Sequence, residues 1–194
     1  MKKIILAVFA LSVFSFANAQ DKKSNKVGSD HVRFGLKAGL SNSILAGDTD
    51  VKSLLSFHAG GFVNVPISDK FSIQPELLYS AQGENGKSID VTLQNDYINL
   101  PVMAKFYVAN NFTIEAGPQI GLLLSAKIKY AGQSVDTKQF YNTTDFSLCF
   151  GLGYDVSEDL FLSARYNTGL SNLDKSGKES IKNSVFQVSL GYKF

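Results

Sequence analysis

From residue 32 onward the chain alternates. Val32, Phe34, Leu36, Ala38 and Leu40 fall on one side of an extended backbone, and Arg33, Gly35, Lys37, Gly39 and Ser41 on the other. Successive side chains of a strand point to opposite faces, so this period predicts a strand with one apolar and one small or polar face. Residues 42–52 read as a loop. A second strand is expected over 53–67, with Leu55, Phe57, Ala59, Val63 and Val65 set against Ser56, His58, Gly60 and Asn64. A third sets Phe71, Ile73, Leu77 and Tyr79 against Ser72, Gln74, Glu76 and Ser80, and residues 83–88 read as a loop.

The fourth segment changes phase. Ile89, Val91 and Leu93 are apolar at odd positions, whereas Ile98, Leu100, Val102, Ala104, Phe106 and Val108 are apolar at even ones. A one-residue slip near 94–97 is expected, from a bulge or a separate strand piece. A fifth strand over 112–130 keeps its apolar residues even, and 131–144 reads as the longest loop. A sixth carries Phe146, Leu148, Phe150, Leu152 and Tyr154 on one face; a seventh is expected over 160–173, followed by a loop at 174–180. The eighth ends on the row Phe186, Val188, Leu190, Tyr192, Phe194. Pro75 and Pro118 fall on apolar faces, where the missing N–H suggests bulges or local edges.

Three connections are short and similar: Ile67 to Phe71, Val108 to Phe112, and Val156 to Leu160. The four others are longer. Tight turns at one end and long loops at the other describe an antiparallel up-and-down β-barrel of eight strands. Parity alone leaves open whether the apolar face looks outward to lipid or inward to a ligand. The polar set is rich in glycine, including Gly35, Gly39, Gly60, Gly117, Gly151 and Gly191, which suits the crowded interior of a small barrel. The apolar set gathers aromatics towards the strand ends: Phe34, Phe106, Tyr154 and Tyr192 near the short turns, Phe57, Tyr79, Phe146 and Tyr166 near the loops. Two aromatic girdles point to a transmembrane barrel, all-β, with its apolar face in lipid.

Composition changes this picture little. Residues 1–19 have a basic start, an apolar run from Ile4 to Phe16 and an Ala-Asn-Ala ending, the pattern of a cleaved signal peptide. Residues 20–31 read as a polar N-terminal leader and 32–194 as the barrel. The formal charge of +2 includes Lys2 and Lys3, and residues 1–19 hold no acid, so the exported chain is neutral. Neutrality argues against a nucleic-acid partner. Cys149 is the single cysteine, so no internal disulfide is expected; with only His31 and His58 beside it, neither a metal cluster nor any cofactor is.

At this point the chain resembles the small outer-membrane β-barrel family, often described as porin-like, of Gram-negative envelopes. The resemblance rests on Phe34-Gly-Leu-Lys-Ala-Gly-Leu40, Tyr97-Ile-Asn-Leu-Pro-Val102, Gly117-Pro-Gln-Ile-Gly121 and Tyr192-Lys-Phe194. It implies an OmpA/OmpX-type barrel with periplasmic termini and an interior packed with side chains, since a ring of eight strands is only wide enough for side chains to fill. The resemblance further implies residence in outer-membrane lipid, with Tyr192 and Phe194 as a C-terminal assembly signal for the barrel-assembly machinery. An envelope protein partner reached through the loops is also expected.

Candidate chemistry is sparse. His58 faces the expected lumen with Ser56 two residues away, but the spacing supplies no orienting carboxylate, and a hydrogen-bonded interior histidine is the simpler reading. The informative polar set is a lumenal charge network of Arg33, Lys37, Glu76, Lys105, Glu115, Asp155, Arg165 and Lys193. A three-residue turn at Ala109-Asn110-Asn111 would pair Val108 with Phe112, and counting onward sets Lys105 against Glu115 on the inner face. No enzyme is expected. The function expected is a structural or interaction role through the extracellular loops of a plugged barrel; the alternative is a narrow porin-like channel or transporter for small solutes.

Overall fold

The computed structural model describes residues 31–46, 51–86, 91–178 and 180–194. The expected signal peptide and nearly all of the expected leader therefore lie outside the described residues. Nine strands run antiparallel: β1 Arg33–Ala46, β2 Val51–Ser68, β3 Phe71–Gly86, β4 Val91–Ala109, β5 Phe112–Tyr130, β6 Gln133–Asp136, β7 Thr144–Asp155, β8 Leu160–Gly169 and β9 Lys182–Lys193. Eight of them close a ring in the order β4-β3-β2-β1-β9-β8-β7-β5, with β5 pairing back onto β4. β1 and β9 meet along twelve residue pairs, from Gly35↔Lys193 to Ala46↔Lys182. The eight-stranded up-and-down barrel is the architecture found. Closure leaves no open edge among those eight strands, so every ladder has a partner.

The alternation decides which side is wet. Leu36, Leu40, Phe57, Leu77, Val102, Phe106, Ile114, Leu148, Phe150, Leu190 and Tyr192 are exposed on the outer wall. Lys37, Ser41, His58, Gln74, Glu76, Lys105, Glu115, Arg165 and Gln187 are buried inside. This is inverted relative to a water-soluble fold, where charges face out and an apolar band of this size would aggregate. No described helix is long and apolar enough to cross a membrane, and the strands form the span.

The phase slip is real, but it lies on the neighbouring strand. Leu93, Asn95, Tyr97, Asn99, Pro101, Met103 and Lys105 are all buried, so β4 keeps one phase from end to end. β4 pairs with β5 in one register as far as Asp96↔Ser125 and in another from Tyr97↔Leu123. Leu124 is the extra residue, a bulge on β5. Beyond it the inner set of β5 changes from Leu123 to Ala126 and Ile128. The apolar parity of β4 misleads because Leu93 faces inward onto an apolar patch at the loop end of the barrel.

Several boundaries also differ from expectation. β1 and β2 reach into 42–52 and β3 runs to Gly86, so two expected loops are shorter. The seventh barrel strand ends at Gly169, and Leu173 belongs to the following loop. Residues 131–144 contain β6, which folds back on Lys127–Tyr130, and a 3-10 turn at Lys138–Phe140. Pro75 and Pro118 carry no register shift. The shifts on β2 fall between Ser53 and His58 and between Pro66 and Ser68. At the β4–β5 turn Ala109, not Val108, faces Phe112; Val108 is a bulge, and the register returns to the expected one at Tyr107↔Thr113 and Lys105↔Glu115.

Candidate functional site

The lumen is filled by charge at its middle. Arg165, on β8, lays its guanidinium against Glu76 of β3 with Nη1–Oε2 and Nη2–Oε1 both at 2.9 Å, and Nη2 also reaches Glu115 Oε2 at 3.0 Å. Glu76 additionally accepts from Lys37 Nζ at 3.2 Å and Gln74 Nε2 at 2.8 Å. Lys105 Nζ lies 3.0 Å from Glu115 Oε1 and donates to Gln74 Oε1 at 3.3 Å. Three cations thus share two carboxylates, and none of the five is more than a few per cent exposed. The fork of an arginine can serve two carboxylates at once, which a lysine in its place could not do.

Towards the short turns a second pair stands apart from this cluster. Lys193 Nζ donates to Asp155 Oδ1 at 2.7 Å, and Tyr107 Oη donates to Asp155 Oδ2 at 3.3 Å. Between the two groups lies an inward aromatic ring, Phe161, with Lys105 Nζ 4.8 Å and Lys193 Nζ 5.3 Å from its centroid. Phe62 meets it edge-on, centroids 5.4 Å apart. Gly191 and Gly35 make this possible, since a Cβ on either would strike the Phe161 or Phe62 ring.

Towards the loops the filling turns to hydrogen-bonded polar side chains, among them the buried carboxylates Glu84 and Asp145, and then to leucines. His58 is held between two serines, Ser41 Oγ at 2.9 Å from Nδ1 and Ser189 Oγ at 2.7 Å from Nε2. The hydrogen-bonded chain continues through Gln187 to Asn167. At the mouth, Leu45, Leu93 and Leu173 form a buried cluster flanked by Ile128, Tyr141 and Ile181. Asn142 and Ile181 hold Leu173 there: Asn142 N donates to Leu173 O (2.9 Å), Leu173 N to Ile181 O (2.8 Å), and Asn142 Nδ2 to Asn172 O (2.9 Å).

This combination of a lipid-compatible outer wall and a charged, filled interior fits one class of protein, and comparison agrees. The family model for the outer membrane protein beta-barrel domain matches residues 18–175. The chain belongs to this family. It is therefore a protein of the Gram-negative outer membrane, embedded in its lipid. Among solved structures it is similar to Ail, the attachment invasion locus protein of Yersinia pestis, at 16% identity over 84% of this chain and 98% of Ail, with a TM-score of 0.51. It is also similar to Neisserial surface protein A, at 12% identity over 83% of this chain and 97% of that one, with a TM-score of 0.59. Identity this low shows a common fold and no more. No curated protein sequence matches.

In this outer-membrane barrel the eight expected network residues divide into three sets. Lys37, Glu76, Lys105, Glu115 and Arg165 come together, and Asp155 and Lys193 pair separately. Arg33 is not part of the lumenal network: it sits at the rim, paired with Asp159 and donating to Glu158 O at 2.7 Å. Its parity is inward, but its place at the first residue of β1 carries it past the end of the packed interior. Ser56 is not the partner of His58; it donates to Ala81 O at 2.6 Å. Tyr192 faces outward and packs edge-on against Phe194, ring centroids 5.4 Å apart. Phe194 N donates to Phe34 O at 2.7 Å, tying the end of the last strand to the first. Missed from sequence were Phe62 and Phe161, inward aromatics among polar neighbours, and the leucine plug. Their one signal was parity, since each breaks the polar rhythm of its own strand. Among the described residues no three His, Cys, Asp or Glu side chains gather as a transition metal would require.

Proposed function

We propose that this outer-membrane barrel is a closed scaffold whose biological work is done by its extracellular loops, in a structural or interaction role. The observation that carries this reading is Arg165. Its guanidinium spans the lumen between Glu76 and Glu115, and a solute path through the centre would have to separate those groups. Separating a buried cation from its carboxylates costs several kcal/mol on the scale of about 3–5 kcal/mol for breaking such a pair. The leucine plug at the loop end is a second barrier of different chemistry. The narrow porin-like channel is the competing reading, and an enzyme is disfavoured because His58 has two serines and no carboxylate as neighbours. Tyr192 and Phe194 would serve as the signal that the barrel-assembly machinery reads. A solute-efflux assay tests the scaffold reading. Liposomes holding the folded barrel should retain small sugars and amino acids as protein-free liposomes do, and rapid efflux of either would overturn it.

A further inference from the structure

The outer wall is not large-sided everywhere. Ala38 of β1 faces Ala59 of β2, and both point outward. The next outward rung towards the loops pairs Leu40 with Phe57, and the next towards the short turns sets Leu36 beside Tyr192. Leu190, on β9, faces Ala38 from the other side. Short side chains among long ones leave an open groove of about 380 Å³, lined by Leu36, Ala38, Ala59, Leu160, Leu190 and Tyr192. Lys37 borders the groove, but its ammonium is bonded to Glu76 on the inner side, so no charged group of the lining faces lipid.

We infer that this groove holds one acyl chain of a phospholipid from the leaflet on the short-turn side. It opens onto the wall that lies in outer-membrane lipid, so it continues an interface whose other side is hydrocarbon. Within hydrocarbon a chain gains nothing by leaving water, and packing decides where it rests. An unfilled hollow forfeits dispersion contacts, which a chain lying over Ala38 and Ala59 restores. The groove runs towards Leu160 and Tyr192, a facing pair near the short turns. A tyrosine there sits at headgroup level, so the polar end of the lipid stays in the interface while its chain fills the groove. A second copy of the barrel fits less well. About a two-fold axis at this place the groove would meet itself, bringing long side chains into contact and leaving the hollow empty. The site lies outside the barrel and does not depend on what the loops bind or whether the lumen conducts.

The test is native mass spectrometry of the barrel folded in neutral detergent with added palmitoyloleoylphosphatidylethanolamine. The wild type should keep one lipid at collision energies that strip all others. Changing Ala38→Leu and Ala59→Leu together fills the groove and should lose that lipid. Ala104→Leu, an equal enlargement at an exposed outward position of β4, should keep it. Should the double variant not fold, Ala59→Leu alone is read in its place. Lysophosphatidylethanolamine, with a single palmitoyl chain, should displace the lipid from the wild type, and glycerophosphoethanolamine, a headgroup without a chain, should not. No retained lipid, equal retention in the filled variant, or displacement by the headgroup alone would each overturn the site. A wild-type dimer that the filled variant abolishes would assign the groove to a second copy and overturn the lipid.

Discussion

Lys105 and Glu115 show what a single pair contributes inside the barrel. They face each other across β4 and β5, both about 1% exposed, 3.0 Å apart. Glu115 also holds Arg165, whereas among the described residues Lys105 has Glu115 alone as an ion-pair partner and Gln74 as an acceptor. The two single substitutions should therefore be unequal. Glu115→Met strands Lys105 and frees one nitrogen of Arg165, and should cost ~3–5 kcal/mol, the range for breaking a buried pair. Lys105→Met should cost less, because Arg165 still neutralises the carboxylate. The double change should be milder than the sum of the two, and urea unfolding in lipid measures all three. Strict additivity would mean the pair does not couple. The register of this pair was legible in the sequence by counting from the turn, even though the turn itself differs. The bulge at Val108 and the shorter turn offset each other by one residue. Arg33 was misread because parity reports a face and not a height along the strand.

At the scale of the strand, exposure means different things inside and outside the membrane. Leu148 lies between Phe146 and Tyr154 on the outer wall of β7, and Val135 lies on β6 beyond the barrel; both are exposed. Leu148→Arg should cost ~2–4 kcal/mol, the penalty for a cation near the bilayer midplane. Val135→Arg should leave the unfolding midpoint in lipid unchanged. Equal effects would mean that the Leu148 row does not face lipid. The bulge at Leu124 makes a second case. It lets β5 put Leu123 inside and then Ala126 and Ile128 inside, with Lys127 exposed and Lys138 Nζ donating to the Leu124 carbonyl at 2.8 Å. Deleting Leu124 should remove the extra residue and leave a regular strand with Ala126 and Ile128 still inside and Lys127 still outside, and so keep the heat-resistant folded band on a gel. Deleting Gly132, at the tip of the hairpin with nothing within 4 Å of its side-chain position, should keep that band. The sequence could not place this bulge, because Ala126 and Ile128 continue the even apolar rhythm. Only the partner register shows that the rhythm has changed sides.

Across the whole molecule, three kinds of filling follow one another along the barrel axis. A charged cluster at the centre is flanked by aromatic rings towards the short turns and, towards the loops, by a hydrogen-bonded polar layer capped with leucines. The closed ring, its outer face and its eight spans follow from a period of two residues repeated along the chain, and so they were readable in advance. The closure of the mouth was not, since it depends on Leu173 leaving the strand pattern and being carried inward by backbone bonds to Asn142 and Ile181. The central claim is that the lumen is sealed, and single-channel recording tests it most directly. Folded wild-type protein in a planar bilayer should give a baseline indistinguishable from the bare membrane across physiological voltages. Steady, reproducible open-channel steps from the wild-type barrel would contradict it.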